Sequence, residues 1–422
     1  MKPSPLISLG VAAMLSASCE KKHEPAPIPK DGSASFGQDT AFLTSHTAIH
    51  VLEDVSSGAR VAVAPAWQGR VMTSTTGGDA GESLGWIHYA NVETGILPEE
   101  KRGGLAKHIH VFGGEERLWL GPEGGQFALF FPPAPAEYTF ENWKTPALLD
   151  TEAFEVVRKD KTRIELRKEA ELVNRKGTRL KLSLDRTVQI LERGATGMLL
   201  GMRLPESVPM VCYRSTNALT NRGDKPWTRE DGLASIWLLG MMKHGPGVTV
   251  VVPLKDGAGN AVNADYFGPL ENDRLKTTDK AVFFKADGAY RSKIGVPPGR
   301  STGVAGSYDP ERGILTILRT QLPPDADKLP YVRSQWQDHQ NPYAGDLINA
   351  YNDGAASPGE APLGPFHELE TSSPALPLEP GAKLVHIQET LHFKGDARAL
   401  DPIAKELLGV SIDEIRAAFG SR

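Results

Sequence analysis

Residues 180–190, Leu-Lys-Leu-Ser-Leu-Asp-Arg-Thr-Val-Gln-Ile, alternate apolar and polar side chains along most of their length. This period of two predicts a β-strand with one face in the core and the other in water. Residues 163–168 and 385–393 repeat the alternation, and residues 248–254 and 313–319 are β-branched runs bounded by Gly or Pro. Together these segments predict long antiparallel strands.

The composition agrees with a β protein. The 422-residue chain has 43 Gly, 32 Pro and 40% hydrophobic residues, which fits a real core and many turns between short strands. Only residues 402–419 have apolar side chains at helical spacing, and they predict one or two short helices. The predicted fold class is therefore an all-β sandwich with a short C-terminal helical segment. No repeat or linker interrupts residues 36–422, which we expect to form a single domain.

The first residues have the pattern of an export signal. Lys2 precedes an apolar run at residues 6–17, which is too short to span a bilayer, and small residues follow up to Cys19. We therefore expect residues 1–18 to be a signal peptide. The small residues before Cys19 resemble the lipobox of bacterial lipoproteins, although Ser16 occupies the position that usually holds Leu. The resemblance implies that Cys19 is lipidated.

We expect residues 19–35, which are charged and Pro-rich, to be a flexible tether between the lipid and the domain. Glu20 follows the Cys, where Asp usually marks retention in the inner membrane, so an outer-membrane location is favoured. The predicted location is the cell envelope, with membrane contact only through the lipid anchor. No other apolar segment is long enough to cross a membrane.

Charge and cysteine content exclude other classes. The net charge is −5 with both signs scattered along the chain, so there is no basic surface that predicts nucleic-acid binding. If Cys19 carries the lipid, Cys212 is left without a partner for an intramolecular disulfide. Cys212 lies in an apolar run and is interpreted as a buried residue. We expect no cofactor and no metal.

Residues 108–125, His-Ile-His-Val-Phe-Gly-Gly-Glu-Glu-Arg-Leu-Trp-Leu-Gly-Pro-Glu-Gly-Gly, are the densest functional motif. Two Gly pairs allow tight turns or close approach of the backbone to a ligand. The residues between them can form charge-assisted hydrogen bonds to sugar hydroxyls and can stack on a pyranose ring. The candidate substrate-binding residues here are Glu115, Glu116, Arg117, Trp119 and Glu123. The alternative is a Gly-rich hairpin whose charges pair with one another.

His108 and His110 are two residues apart, so on a strand they would share one face. That spacing suits a metal site or a proton donor. We assign His108 as the candidate catalytic acid and His110 as a candidate substrate-binding residue.

Residues 364–374, Gly-Pro-Phe-His-Glu-Leu-Glu-Thr-Ser-Ser-Pro, form the second motif. On a strand, Glu368 and Glu370 point to one face, while His367 and Leu369 point to the other. Two shielded carboxylates on one face raise each other's pKa, which is how a general base is tuned. The alternative is a solvated strand face.

Two further candidates come from segments rich in polar and aromatic residues. Trp237 lies in residues 235–240, and Arg291 begins the run Arg-Ser-Lys-Ile-Gly at residues 291–295. We assign both as candidate substrate-binding residues, although core packing is an equally good interpretation of each.

The order of these strings resembles that of the galactose mutarotase and aldose epimerase superfamily. An early Gly-Gly-rich segment is followed by a central Leu-Thr-Asn at residues 219–221 and a late Leu-Glu-Thr at residues 369–371. The resemblance implies a β-supersandwich fold. Over residues 36–420 the chain is more similar to an uncharacterised family of bacterial lipoproteins within that superfamily, on the full strings at residues 113–125 and 364–374.

In mutarotases, a Glu on the late strand takes the anomeric proton while a His protonates the ring oxygen. The resemblance puts Glu370 at the base position and leaves Glu368 as the second choice. The central His of mutarotases is missing, because the matching region has Trp237. His108 or His110 then supplies the acid, or the site performs other sugar chemistry.

These observations predict a carbohydrate-binding lipoprotein with general acid–base chemistry at the anomeric region of a sugar. Two alternatives remain open: a sugar-binding lipoprotein without catalysis, and a hydrolase or lyase that cleaves glycans on the same fold.

Overall fold

The structure is a computed structural model, and it describes residue 27, residues 33–355, residue 359 and residues 361–420. The predicted signal peptide and lipidated Cys19 lie outside the described residues. The first helix of the described residues starts at Phe36 and is capped by Ser35.

Strands are the main regular secondary structure of the chain. They are β1 (His50–Asp54), β2 (Ala59–Ala64), β3 (Arg70–Thr75), β4 (Arg117–Gly121), β5 (Glu155–Lys159), β6 (Arg163–Val173), β7 (Arg179–Ile190), β8 (Met210–Asn221), β9 (Ser235–Lys243), β10 (Thr249–Pro253), β11 (Leu275–Thr277), β12 (Ala281–Lys285), β13 (Ser292–Val296), β14 (Val304–Asp309), β15 (Ile314–Thr320), β16 (Ile348–Asn352), β17 (Phe366–Ser372) and β18 (Lys383–Lys394). The helices are α1 (Phe36–His46), α2 (Tyr89–Thr94), α3 (Ala147–Asp150), α4 (Arg193–Leu200), α5 (Ala397–Leu408) and α6 (Ile412–Ala417).

These strands form three antiparallel sheets. The largest has ten strands in the order β11-β12-β10-β14-β15-β18-β8-β7-β6-β5. A five-stranded sheet has the order β13-β16-β17-β9-β4, and β1, β2 and β3 form a third sheet. The predicted fold class, an all-β protein with short C-terminal helices, is confirmed.

The five-stranded sheet packs one face against the ten-stranded sheet. Leu238 of β9 and Leu369 of β17 lie in the hydrophobic core on this face. Thr371, also on this face, donates a hydrogen bond to Gln388 of β18 in the larger sheet. The opposite face of the five-stranded sheet therefore points away from the ten-stranded sheet.

Helices α5 and α6 cover the outer face of the ten-stranded sheet. Their apolar side chains share a core with Cys212 of β8 and Leu391 of β18. Burial raises the pKa of the Cys212 thiol to about 12, in line with the interpretation of this residue as part of the core. Among the residues that the structure describes, no helix combines the length and apolar character needed to span a bilayer.

Helices α1, α2 and α4 were not predicted from the sequence. Helix α1 is started by a capping box, in which Ser35 and Gln38 satisfy each other's backbone N–H groups. Its buried face includes Phe36, Phe42 and Leu43, which is too sparse a set to show a clear helical period. Tertiary packing and the cap therefore decide this helix.

Candidate functional site

The outer face of the five-stranded sheet gathers charged and aromatic side chains that are far apart in the chain. Strand register puts Arg117 of β4 and Glu370 of β17 on either side of Leu239 in β9. Two residues along, Trp119 lies opposite Trp237. We call this surface the charged face. Its members from the five strands are Arg117, Trp119, Trp237, Lys293, Asn349, Tyr351, Glu368 and Glu370.

Each carboxylate of the charged face has a cationic partner. Arg117 forms an ion pair with Glu368, and both side chains are less than a tenth exposed. The Lys293 ammonium lies 3.1 and 3.0 Å from the two carboxylate oxygens of Glu370. The indole N–H of Trp237 also donates to Glu370, at 2.9 Å. The charges are therefore compensated in pairs.

Aromatic rings lie close to the cationic groups of Arg117 and Lys293. Lys293 Nζ lies 4.7 Å from the ring centroid of Trp237 and 5.4 Å from that of Tyr266. The Arg117 guanidinium lies 4.9 Å from the ring of Trp119. Such contacts favour a cation in a partly dry site. They fix where the positive charges sit relative to the carboxylates.

Glu368 is the carboxyl on this face with a strongly shifted pKa. Burial raises its pKa to about 7, the neighbouring charge of Glu370 adds to the effect, and Arg117 opposes it. A carboxyl with a pKa near 7 both accepts and releases a proton at neutral pH. Glu368 is therefore suited to carry a proton at neutral pH.

A further carboxylate, Asp346, lies beside these pairs. Burial raises the pKa of Asp346 to about 6, although it accepts hydrogen bonds from Tyr266 and Asn263, each at 2.7 Å. The side chain fits because position 295 is Gly, where a Cβ atom would lie 2.1 Å from the Asp346 carboxylate.

Part of the charged face is covered by a loop segment that contacts Glu123. We call residues 330–345 the cover segment. Trp336 in this segment donates to Glu123 at 3.1 Å, and the backbone N–H of Glu123 donates to Ser334 at 3.3 Å. Burial raises the pKa of Glu123. A Cβ atom at Gly124 would lie 2.4 Å from the carbonyl oxygen of Gln335, so glycine is what lets the two backbones touch.

Between the cover and the charged face lies a small cavity. Its volume is about 10 Å³, which is room for about one water molecule. Its lining includes the following residues: Gly121, Ser235, Trp237, Tyr266, Lys293, Val332, Ser334, Asp346, Asn349 and Ser372. A sugar ring can therefore reach the charged face only if the cover moves.

The first sequence motif divides between two environments. Arg117 and Trp119 lie on the charged face, and Glu123 contacts the cover segment. Glu115 and Glu116 instead point into the interior, where both are completely buried. One carboxylate oxygen of Glu115 accepts two hydrogen bonds from Ser74, and the other lies 3.4 Å from His392 Nε2 in the interior.

Glu116 is likewise paired within the interior. It accepts hydrogen bonds from Arg186 at 2.8 Å and from Gln388 at 2.7 Å. We therefore leave Glu115 and Glu116 out of the candidate site. For Glu116 the physical reason is alternation, which sends neighbouring residues such as Glu116 and Arg117 to opposite sides. Glu115 lies before β4 begins and is directed inwards by its own contacts.

The expected strand through His108 and His110 is not present, because this segment is irregular and β4 begins only at Arg117. The two rings therefore have separate partners. His108 bonds to the carbonyl oxygen of Trp143 at 2.6 Å, and its ring lies tilted against that of Phe140, with 4.3 Å between the ring centroids. His110 bonds to the carboxylate of Asp150 at 2.9 Å.

Among the described residues no contact joins either His to Glu368 or Glu370, so the assignment of His108 as acid stays a prediction. Within the same part of the chain, no three His, Cys, Asp or Glu side chains form a group that could hold a metal ion.

The other candidates lie on or beside the charged face. Trp237 contacts Glu370 directly. The Arg291 guanidinium lies 4.5 Å from the ring of Phe267 at the far end of the face, near Tyr351 and Asp353.

The residues assigned to the site from the sequence did not include Lys293, Asp346, Tyr266, Asn349 and Trp336. The signal for Lys293 was available, because it lies two residues after Arg291, and an extended segment places residues two apart on one face. The others come from loops or partner strands whose position depends on the tertiary fold.

Comparisons with known proteins connect this chain with galactose mutarotase-like structures, and the likeness concerns the fold alone. The Slr1438 protein from Synechocystis sp. PCC 6803 is 14% identical with a TM-score of 0.49, covering 83% of this chain and 96% of that one. A galactose mutarotase related enzyme from Lactobacillus acidophilus is 9% identical with a TM-score of 0.45, covering 82% and 98%. A galactose mutarotase-like protein from Lactobacillus casei ATCC 334 is 12% identical with a TM-score of 0.42, covering 82% and 99%.

No curated protein matches the sequence. One family model matches residues 34–419, which is nearly the whole described domain, and its description is a family of unknown function, DUF6786. The chain belongs to the DUF6786 family.

Proposed function

We propose that the protein binds a carbohydrate at the charged face and performs general acid–base chemistry at the anomeric region of the sugar. One observation carries the proposal: Glu368 and Glu370 share a buried face, each beside a cation, and the pKa of Glu368 is about 7. Such a carboxyl suits repeated proton transfer at neutral pH.

The two carboxylates have different roles in this proposal. Glu368 carries the proton, because its pKa is matched to neutral pH. Glu370 accepts bonds from both Lys293 and Trp237, so it is a fixed negative charge that orients the substrate and stabilises developing positive charge. This assignment reverses the order expected from the resemblance to mutarotases, in which Glu370 is the base.

Aromatic side chains around the carboxylates suit a sugar. The rings of Trp119 and Trp237 meet edge to face at 5.5 Å on the sheet, and Trp143 stacks at 6.1 Å on Trp336 of the cover segment. Ring faces pack against the apolar face of a pyranose, while the charged groups bond its hydroxyls. Movement of the cover segment is part of the proposal, because the present cavity holds about one water.

NMR exchange spectroscopy of the anomeric signals of glucose, galactose, mannose and xylose tests this function. We expect the protein to speed anomer exchange of at least one sugar, and Glu368→Gln to reduce that rate at least about 100-fold. Glu165→Gln on β6, outside the charged face, is the matched control and is expected to keep the rate. An unchanged rate in Glu368→Gln contradicts the assignment, and new reducing ends from a glycan would indicate cleavage instead.

Sugar binding without catalysis is the second candidate. The observation that favours it is that both oxygens of Glu370 are already bonded and the cavity is closed. The same spectra separate the two functions. Binding alone would broaden or shift the sugar signals without exchange between anomers.

We also infer that the protein is exported and anchored to the cell envelope through Cys19. The support is the signal-like pattern of residues 1–18 and the lipobox-like residues before Cys19. Cys19→Ser is expected to abolish labelling by radioactive palmitate in bacteria. Labelling that persists in this variant would refute the anchor.

A further inference from the structure

A groove lies on the outer side of the cover segment and is much larger than the cavity beneath it. Its volume is about 400 Å³, within the range of roughly 300–1,000 Å³ that is usual for ligand-binding sites. The groove is lined by Arg229, Pro297, Pro298, Gly299, Asp327, Lys328, Leu329, Pro330, Tyr331, Asn341, Tyr343, Ala344 and Gly345. It therefore has room for a ligand that the closed inner cavity does not have.

A wall formed by a single stretch of backbone separates the groove from the cavity. Tyr331 lines the groove, and the next residue, Val332, lines the cavity. The two ends of the cover segment are joined in this wall by backbone hydrogen bonds. Tyr331 N–H donates to the Tyr343 carbonyl at 3.2 Å, and Gly345 N–H donates to the Tyr331 carbonyl at 2.8 Å. A ligand in the groove consequently touches the segment that covers the charged face.

Apolar and polar groups mix along the groove. Tyr343 is fixed in its wall, because its hydroxyl donates to the Arg229 carbonyl at 2.7 Å and the Arg229 guanidinium lies 5.2 Å from its ring. Pro297 and Leu329 add partly exposed apolar surface. Apolar patches beside hydrogen-bonding groups suit the two kinds of surface that a sugar presents.

The charges of the groove balance. Arg229 and Asp327 are exposed, carry opposite charges and, among the described residues, form no ion pair. Lys328 is already paired with Asp325 at 3.0 Å. The two available charged groups and the amide of Asn341 can bond hydroxyl groups, and no net charge favours an acidic ligand.

We propose that this groove binds neutral saccharide units of a longer glycan whose terminal unit reaches the charged face. The proposal rests on the proposed function, because it takes the charged face as the place where the sugar reacts. It assigns an oligosaccharide as the substrate, and it makes the groove a second binding site for the same glycan.

Isothermal titration with neutral sugars tests the groove. The probes are maltotetraose, cellotetraose and galactotetraose, each compared with the methyl glycoside of its monosaccharide. For at least one series we expect the tetrasaccharide to bind at least 10-fold more tightly than the monosaccharide. Ala344→Trp, which fills the groove from an exposed position, is expected to remove that advantage. Gln340→Trp, exposed on the same segment but outside the lining, is the matched control and should keep it.

The outcomes separate this proposal from the function on which it rests. Equal affinity for tetrasaccharide and monosaccharide in the native protein, or an advantage that survives Ala344→Trp, overturns the groove proposal. Either result leaves anomer exchange by the native protein, and its loss in Glu368→Gln, untouched. If no sugar binds and no anomer exchange is seen, the proposed function fails and the groove proposal fails with it.

Discussion

Glu116 and Arg117 are neighbours in the chain, but they belong to two different buried clusters. The interior cluster contains Glu116, Arg186 and Gln388, and the side chains of Glu116 and Arg186 are completely buried. The charged face contains Arg117, paired with Glu368. Both clusters have a buried carboxylate beside an Arg, so burial and pairing alone do not distinguish a site from a core.

The difference lies in what surrounds each pair. In the interior, Arg186 also bonds to Asn217 and to the carbonyl of Gly69, so most of its donors are satisfied by the protein. The charged face has a carboxyl with a pKa near 7, aromatic rings and a cavity. A buried ion pair becomes a candidate site when a carboxyl beside it titrates near neutral pH and a cavity adjoins it.

The largest expected effect is on the interior cluster. Glu116→Gln keeps the shape of the side chain but leaves the Arg186 charge buried without a countercharge. We expect a loss of about 3–5 kcal/mol in the free energy of unfolding, measured by urea denaturation. Arg167→Ala, which breaks an exposed pair with Asp185, should cost less than about 1 kcal/mol.

A loss in Glu116→Gln no greater than that in Arg167→Ala would remove the proposed distinction between the clusters. Sugar exchange measured on the folded Glu116→Gln protein is expected to stay close to native, because the side chain lies on the opposite side of β4.

The second largest expected effect is a dependence of the free energy of unfolding on pH, caused by the titration of Glu368. Its folded pKa of about 7 exceeds the ordinary value of 4.5, so the folded state holds this proton more tightly than the unfolded state. The resulting stabilisation is present below pH 4.5 and is lost as the pH rises through 7. The stability of the native protein relative to Glu368→Gln should fall by on the order of 2 kcal/mol between pH 4.5 and 8.

Urea denaturation of both proteins at a series of pH values gives this difference directly. Other titrating groups largely cancel in the comparison. A difference that stays constant or grows with pH would show that Glu368 titrates like an exposed carboxyl.

The smallest effect concerns the cover. Trp336→Phe keeps an aromatic ring in place but removes the N–H that donates to Glu123. We expect a loss of about 0.5–1.5 kcal/mol, seen as a small decrease in the thermal midpoint. If the cover contributes to closing the site, this variant should also admit a sugar more readily, with faster binding by stopped-flow fluorescence. An unchanged midpoint together with unchanged binding rates would place Trp336 outside the closing contact.

The sequence predicted much of the sandwich because many of its strands alternate polar side chains, which face solvent, with apolar side chains, which face the core. Residues 180–190 fall within β7, and residues 385–393 fall within β18, each close to its predicted limits. Alternation also placed Glu368 and Glu370 on one face correctly. Helix α1 escaped prediction because a cap and tertiary contacts, more than periodicity, define it.

The site was less accessible to sequence reasoning, because its members meet only after five strands are paired. Nothing local shows that Lys293 contacts Glu370, since 77 residues separate them. The Glu-Glu-Arg run illustrates the same limit. Its composition suggested one binding surface, but the place where β4 begins decides which side chains face outwards.

Gly124 shows that the width of the site is set by a missing side chain. A single methyl group there would meet the Gln335 carbonyl at 2.4 Å and, acting as a wedge, would force the two loops apart. Alanine at position 124 would therefore keep the site partly open without changing any residue on the charged face. For protein engineering, a substitution at position 124 would change ligand access to the charged face and leave the residues of that face unchanged.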